Sequence, residues 1–338
     1  CGRTDGFKLV EFKGTIQMIV AAPSSDASAL KLSQFFQVTA SLTGVQAQIW
    51  LPDQAVLDQT SPWRSLLEQG FVQRFPHPAP ELLLLSDAAD WRAAAQLYSP
   101  AQGMTRVHLL WGADVRCWGH GARNRPAIRL AMGESVGRAL KAGPVFREPV
   151  HTLPIGLDPE DLPAPSLSRR SDQVLILASE KPALGLALQE RLRQHNIQTR
   201  LECVPWPMQQ WLDALRMATM TVVLAPPNGE PSLGLRRLAA MAMHTPLVCD
   251  ERPNDHLCRH QRNALICPSD PQALAEAVSL LLDRSATGLK TRLIEGGLST
   301  LVRHRRAREQ LEFTMLLENH IELMATARRC HAEDLKGG

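Results

Sequence analysis

Between Pro226 and Leu238 the chain brings together an acid, a helix start and two guanidinium groups, a set suited to holding a phosphate-bearing ligand. Thr221 to Ala225 is a short apolar run that suits a strand buried on both faces of a parallel sheet. Pro226-Pro227-Asn228-Gly229-Glu230-Pro231 cannot continue that strand. The chain therefore leaves the sheet at its carboxyl edge, where open α/β sheets bind ligands, and Glu230 falls there. Ser232 can cap the helix that Leu235, Leu238, Met241 and Ala242 mark by their spacing, and the N–H groups of its first turn would face an anion. Arg236 and Arg237 lie close behind. Cations oppose the dipole at a helix N-terminus, so a bound anion would relieve the conflict; the alternative is two arginines on a solvated face.

The elements that position these residues form two series. Apolar runs at 15–21, 47–51, 82–86 and 106–111 are each followed by polar or helical sequence, the alternation of a parallel α/β sheet. Leu30, Leu32, Phe35, Phe36 and Leu42 supply the apolar face of a first helix. A second series runs 173–178, 199–204, 221–225, 246–249 and 264–267, with helical patterns at 184–194 and 207–218. The Pro-rich, polar stretch 157–171 between the series reads as a linker.

The 338 residues suffice for two domains, each with its own core, and 44% apolar with 21% charged residues is the composition of a globular protein. With 37 basic and 34 acidic side chains the net charge is +3, too small a field to point to nucleic acid. Seven cysteines, none in a pair with metal-ligand spacing, read as reduced and mostly buried, which suits the cytoplasm. No apolar run approaches the roughly 20 residues that span a bilayer.

The order Glu230-Pro231-Ser232-Leu233-Gly234-Leu235, then Leu238 to Val248, Asn263 to Pro268 and Asp270 to Val278, resembles the donor-binding domain of family 4 glycosyltransferases. Leu153-Pro154-Ile155-Gly156-Leu157-Asp158 is similar to the Pro-Asn-Gly-Ile-Asp segment that ends the first domain of that family. The resemblance covers the latter half of the chain; the first sheet matches by pattern alone.

This resemblance implies the GT-B architecture: two Rossmann-like α/β domains facing across a cleft, with a C-terminal helix crossing back. The division would be 1–163, an acceptor-side domain; 164–302, a nucleotide-sugar domain; and 303–338, the helix and tail. It implies a retaining, metal-independent transfer from a nucleotide-diphosphate sugar to a saccharide, lipid-linked or protein acceptor. That donor is a substrate, and no cofactor is expected. Glu230 would hold the donor sugar and His120 would line the facing wall, unless it is a loop histidine with a structural hydrogen bond. Ser179, Lys181, Ser232, Leu233, Gly234, Leu235 and Arg236 would surround the diphosphate.

Three positions depart from the family pattern. Anchored on Gly234, the first motif Glu falls at Pro231, with Glu230 one residue early. The second falls at Ala239, whose methyl accepts no ribose hydrogen bond, and His244 replaces a small Gly. A transferase-like binding or scaffold protein is the alternative. Over 302–329, Leu311, Met315, Ile321 and Met324 form a stripe expected to pack on the first domain. Arg303, Arg305, Arg306 and Arg308 could touch anionic lipid at the inner face of a membrane.

Overall fold

In the computed structural model, runs apolar on both faces become strands of two parallel sheets. The structure describes residues 14–334, apart from 25–26, 58, 60, 75–77, 100–102, 112–118, 143–145, 166–172, 180, 205, 226–230 and 251–256. The first sheet comprises β1 (Gly14–Ile19), β2 (Val45–Trp50), β3 (Val72–Gln73), β4 (Leu82–Leu85), β5 (Thr105–Leu110), β6 (Ile128–Met132) and β7 (Val150–Leu153). Its order is β3-β2-β1-β4-β5-β6-β7. Ile16 of β1 stands opposite Ala47 on one side and Leu82 on the other. The second sheet comprises β8 (Gln173–Leu177), β9 (Gln198–Glu202), β10 (Met220–Val223), β11 (Leu247–Asp250) and β12 (Leu265–Cys267), in the order β12-β11-β10-β8-β9.

Helices cover both sheets: α1 (Ala27–Ala40), α2 (Pro62–Glu68), α3 (Ala88–Leu97), α4 (Gly119–Asn124) and α5 (Glu134–Lys141) in the first domain; α6 (Pro182–Gln194), α7 (Met208–Met217), α8 (Pro231–Ala242), α9 (Pro271–Leu282) and α10 (Thr287–Arg303) in the second. The last, α11 (Arg306–Asp334), returns to the first domain, where Phe313 and Leu317 join Phe35 and Ile16 in the core.

Three departures from the sequence pattern have physical causes. Strands β3, β6 and β7 carry no clean apolar run: β3 is two residues long, β6 holds Arg129 in its middle and β7 holds His151. The stretch 157–171 is not simply a spacer. Leu157 and Leu162 enter the core of the second domain, and Asp158, Glu160 and Asp161 pair with Arg305 and Arg306. On α11 the packing face is Glu309, Phe313 and Leu317, four residues apart, whereas Leu311 and Met315 of the expected stripe are 60% and 51% exposed. Ile321 and Met324 have side chains outside the described set.

The two domains meet at Gly156, against which the first residues of α11 pack so closely that a Cβ there would lie 2.7 Å from the Cα of Arg306. Only a residue without a side chain admits that approach. Among the described residues no helix is long and apolar enough to cross a membrane.

Candidate functional site

Strand order locates the crevice before any side chain is considered. From β8 the chain goes outward to β9, then returns to β10 on the opposite side, so the loops after β8 and β10 diverge at a topological switch point, where open α/β sheets take ligands. The loop after β8 carries Ser179 and Lys181; that after β10 leads into α8.

Around this point the parallel strands deliver their carboxyl ends to one ledge. Lys181 Nζ donates to Asp250 Oδ2 at 2.5 Å and to Ser269 Oγ at 3.2 Å, which leaves the third ammonium donor uncommitted among the described residues. Asp250, at the end of β11, also accepts from the Ala225 N–H at 2.6 Å and from Ser269 Oγ at 3.0 Å. Arg236 reaches across from α8: Nη1 donates to Ser179 Oγ at 2.8 Å and lies 3.3 Å from Glu202 Oε2. Its Nε is buried with no hydrogen-bond partner among the described residues. Ser179, Lys181 and Arg236 thus share one ledge.

Ser232 and Leu233 lie in the first turn of α8, with side chains outside the described set. Gly234 packs under Ile155, whose Cδ1 would be 2.7 Å from a Cβ there, and Leu235 is buried in the domain core. Glu230 is outside the described residues. His120 is in α4, at the carboxyl side of β5, and its side chain is likewise outside them.

The solvated reading of the two arginines does not hold. Arg236 and Arg237 are 6% and 2% exposed. Around Arg237 burial opposes the charge, but Cys249, Cys258 and Asp250 outweigh it and hold the guanidinium above its usual range. Cys249 and Cys258 are free thiols with sulfurs 3.9 Å apart, a juxtaposition their separation in sequence did not suggest.

Ala239 lies in the core, where a Glu would need a polar partner. The carboxylate of this neighbourhood comes instead from Glu202, buried at the end of β9 and also accepting from the Trp206 N–H at 3.1 Å. Sequence reading missed it, because β9 reads Gln-Thr-Arg-Leu-Glu and its closing carboxylate does not stand out among polar neighbours. His244 follows α8 with φ 55°, the left-handed conformation that ends many helices and favours Gly, which explains why a Gly suits this position.

In the first domain, Arg129 fixes the short α4. Its Nη1 donates to Ala122 O at 2.9 Å and its Nη2 to Arg125 O at 2.6 Å, satisfying carbonyls at the helix end. Nη1 also donates to His108 Nδ1 at 2.9 Å, while His108 Nε2 donates to Ser86 O at 3.2 Å. The ring therefore uses both nitrogens in its neutral form. Burial, with the Arg129 charge adding to it, pushes the His108 pKa down to about 3.

An unfolded histidine titrates near 6.5, so between about pH 6.5 and 3 the unfolded chain holds a proton that the folded one lacks. Stability attributable to His108 is complete above this window and falls with pH through it, by about 1.4 kcal/mol per unit at most. Denaturant titrations of wild type and His108→Gln from pH 7 to 4 are expected to show the shallower decline in the variant. Parallel curves would refute the assignment.

Residues 163–284 match the family model described as glycosyl transferases group 1. No curated protein matches the chain. Among solved structures, sucrose-phosphate synthase from Thermosynechococcus elongatus superposes with a TM-score of 0.64 at 11% identity, covering 93% of this chain and 100% of the other. HepE of Anabaena, in complex with UDP and glucose, gives 0.65 at 13% identity, covering 90% and 100%. A glycosyltransferase from Rickettsia africae gives 0.59 at 10%, covering 91% and 98%. The chain is thus a two-domain protein of the GT-B fold whose residues 163–284 carry the signature of the glycosyl transferases group 1.

Proposed function

We propose that the chain transfers a sugar from a nucleotide-diphosphate donor to a saccharide, lipid-linked or protein acceptor, with retention of configuration and without a metal. The observation that carries this reading is the convergence of Ser179, Lys181 and Arg236 on the switch-point ledge of a domain matching the group 1 family. Chemically the ledge suits a leaving diphosphate. Among the described residues one ammonium donor of Lys181 is uncommitted, the N–H groups of the α8 first turn add a positive helix end, and Arg236 lies behind. Glu230 would hold the donor sugar and His120 the facing wall. HepE, solved with UDP and glucose, makes a uridine donor the first to test.

A second reading, a binding protein without turnover, is favoured by the buried Ala239 and by Glu202 and Asp250, which already neutralise both ledge cations. Labelled UDP-sugars incubated with an acceptor panel separate the two. Transfer or donor hydrolysis supports the enzyme; UDP binding without either supports the second reading; neither binding nor turnover across uridine, adenine and guanine donors overturns both. For the enzyme, Lys181→Ala is expected to lower kcat by about 100-fold or more with an unchanged circular dichroism spectrum. Wild-type turnover in that variant would remove Lys181 from the mechanism.

A further inference from the structure

A second basic site lies on the other side of α8. Successive helical residues point about 100° apart, so Arg236 and Arg237 diverge. Arg236 reaches the ledge, while Gly234, Arg237 and Leu238 line a cavity of about 260 Å³ at the hinge between the domains. Its walls come from the start of α5 (Gly133 to Arg138), the junction at Pro154 and Ile155, the end of α10 and the start of α11. Both domains and the crossing helix therefore contribute.

The lining is cationic. Arg138, Arg237, Arg259, Arg303 and Arg308 surround the cavity with His304, and Glu134 is the single acid among the described lining residues. An adjoining cavity shares Arg259, Thr300 and Arg303 and adds Arg262. Neighbouring arginines show that this excess is not simply a basic helix end. Arg305 and Arg306 are matched by Glu160, Asp158 and Asp161 at 2.5 to 2.9 Å. Arg308 pairs outward with Glu312 at 2.9 Å. Arg259 and Arg303 have no carboxylate within ion-pair distance among the described residues.

Like charges gathered around one space repel, and an anion bridging them converts that repulsion into attraction. Guanidinium groups hold phosphate oxygens through paired N–H donors, which favours phosphate over a carboxylate of lower charge. The volume lies below the usual range of about 300–1,000 Å³ for drug-sized ligands, so the occupant is small. We propose that this hinge pocket binds a small phosphate-bearing anion, with Arg259 and Arg303 as its principal contacts and Arg138 joining from the first domain. Occupancy would tie both domains to the crossing helix. The site is separate from the ledge and does not depend on the transferase reading.

Inorganic pyrophosphate, titrated calorimetrically into the full chain at constant ionic strength, tests the site. To silence the ledge, the comparison is made between Lys181→Ala and the triple variant Lys181→Ala, Arg259→Ala, Arg303→Ala. Both arginines are exposed, so the substitutions are expected to leave the melting temperature without ligand unchanged. Binding by Lys181→Ala, weakened about tenfold or more in the triple variant, is the expected result. No binding by Lys181→Ala, or equal affinity in the two proteins, would overturn the proposal.

Discussion

Lys31→Ala is expected to destabilise the protein by about 3–5 kcal/mol, because it removes one half of a buried ion pair and leaves the other half uncompensated. Lys31 Nζ donates to Glu309 Oε2 at 2.5 Å and to Gly156 O at 3.1 Å, and Glu309 Oε2 also accepts from the Gly156 N–H at 3.2 Å. Both side chains are fully buried. Three segments distant in sequence are joined there: α1 of the first domain, the interdomain junction and the crossing helix. Burial pushes the Glu309 pKa up against the pull of Lys31, so loss of the lysine should let Glu309 take a proton. Replacing both groups by apolar residues removes the orphan charge. Lys31→Met with Glu309→Leu should therefore recover most of the loss or exceed wild type. Urea unfolding of the three proteins measures this; a single-variant loss under about 1 kcal/mol, or a double variant no better than the single, contradicts it.

Arg129→Met should cost about 3 kcal/mol or more, for a different reason. The methionine refills much of the volume, but it leaves the Ala122 carbonyl and the His108 Nδ1 without their donor, at about 1–3 kcal/mol for each unsatisfied buried group, while the Arg125 carbonyl can turn to water. It also removes the cation stacked 4.5 Å from the Phe146 ring centroid. Because Arg129 closes the end of α4, the damage should be local as well as global. Hydrogen exchange is expected to accelerate at the amides of 119–124 beyond what the overall stability loss accounts for. Uniform acceleration across the chain would show that Arg129 stabilises the domain without holding the helix that carries His120.

These two residues mark where sequence reading stops. A lysine in an amphipathic helix and an arginine in a short apolar run each read locally as exposed, since charged side chains are seldom buried without partners. Their partners lie 278 and 21 positions away. The same limit explains Glu202, whose role beside Arg236 depends on β9 ending at the ledge reached by α8. By contrast, every strand of the second sheet and the order of its loops were legible: β8, β10 and β11, buried in the sheet centre, write nearly continuous apolar runs, and only the edge strand β9 is polar.

By itself the sequence determined two parallel α/β domains, the loops that leave their carboxyl edges, and a helix start flanked by acid and base at one of them. These follow from local periodicity and from residues that cannot continue a strand. Tertiary structure alone decided which charges meet. It turned Arg236 toward Glu202 and Ser179, closed Lys181 onto Asp250, faced α11 inward through Phe313 rather than Met315, and gathered five arginines around the hinge cavity. Such pairings depend on sheet order and on side-chain direction around each helix, which no window along the chain contains.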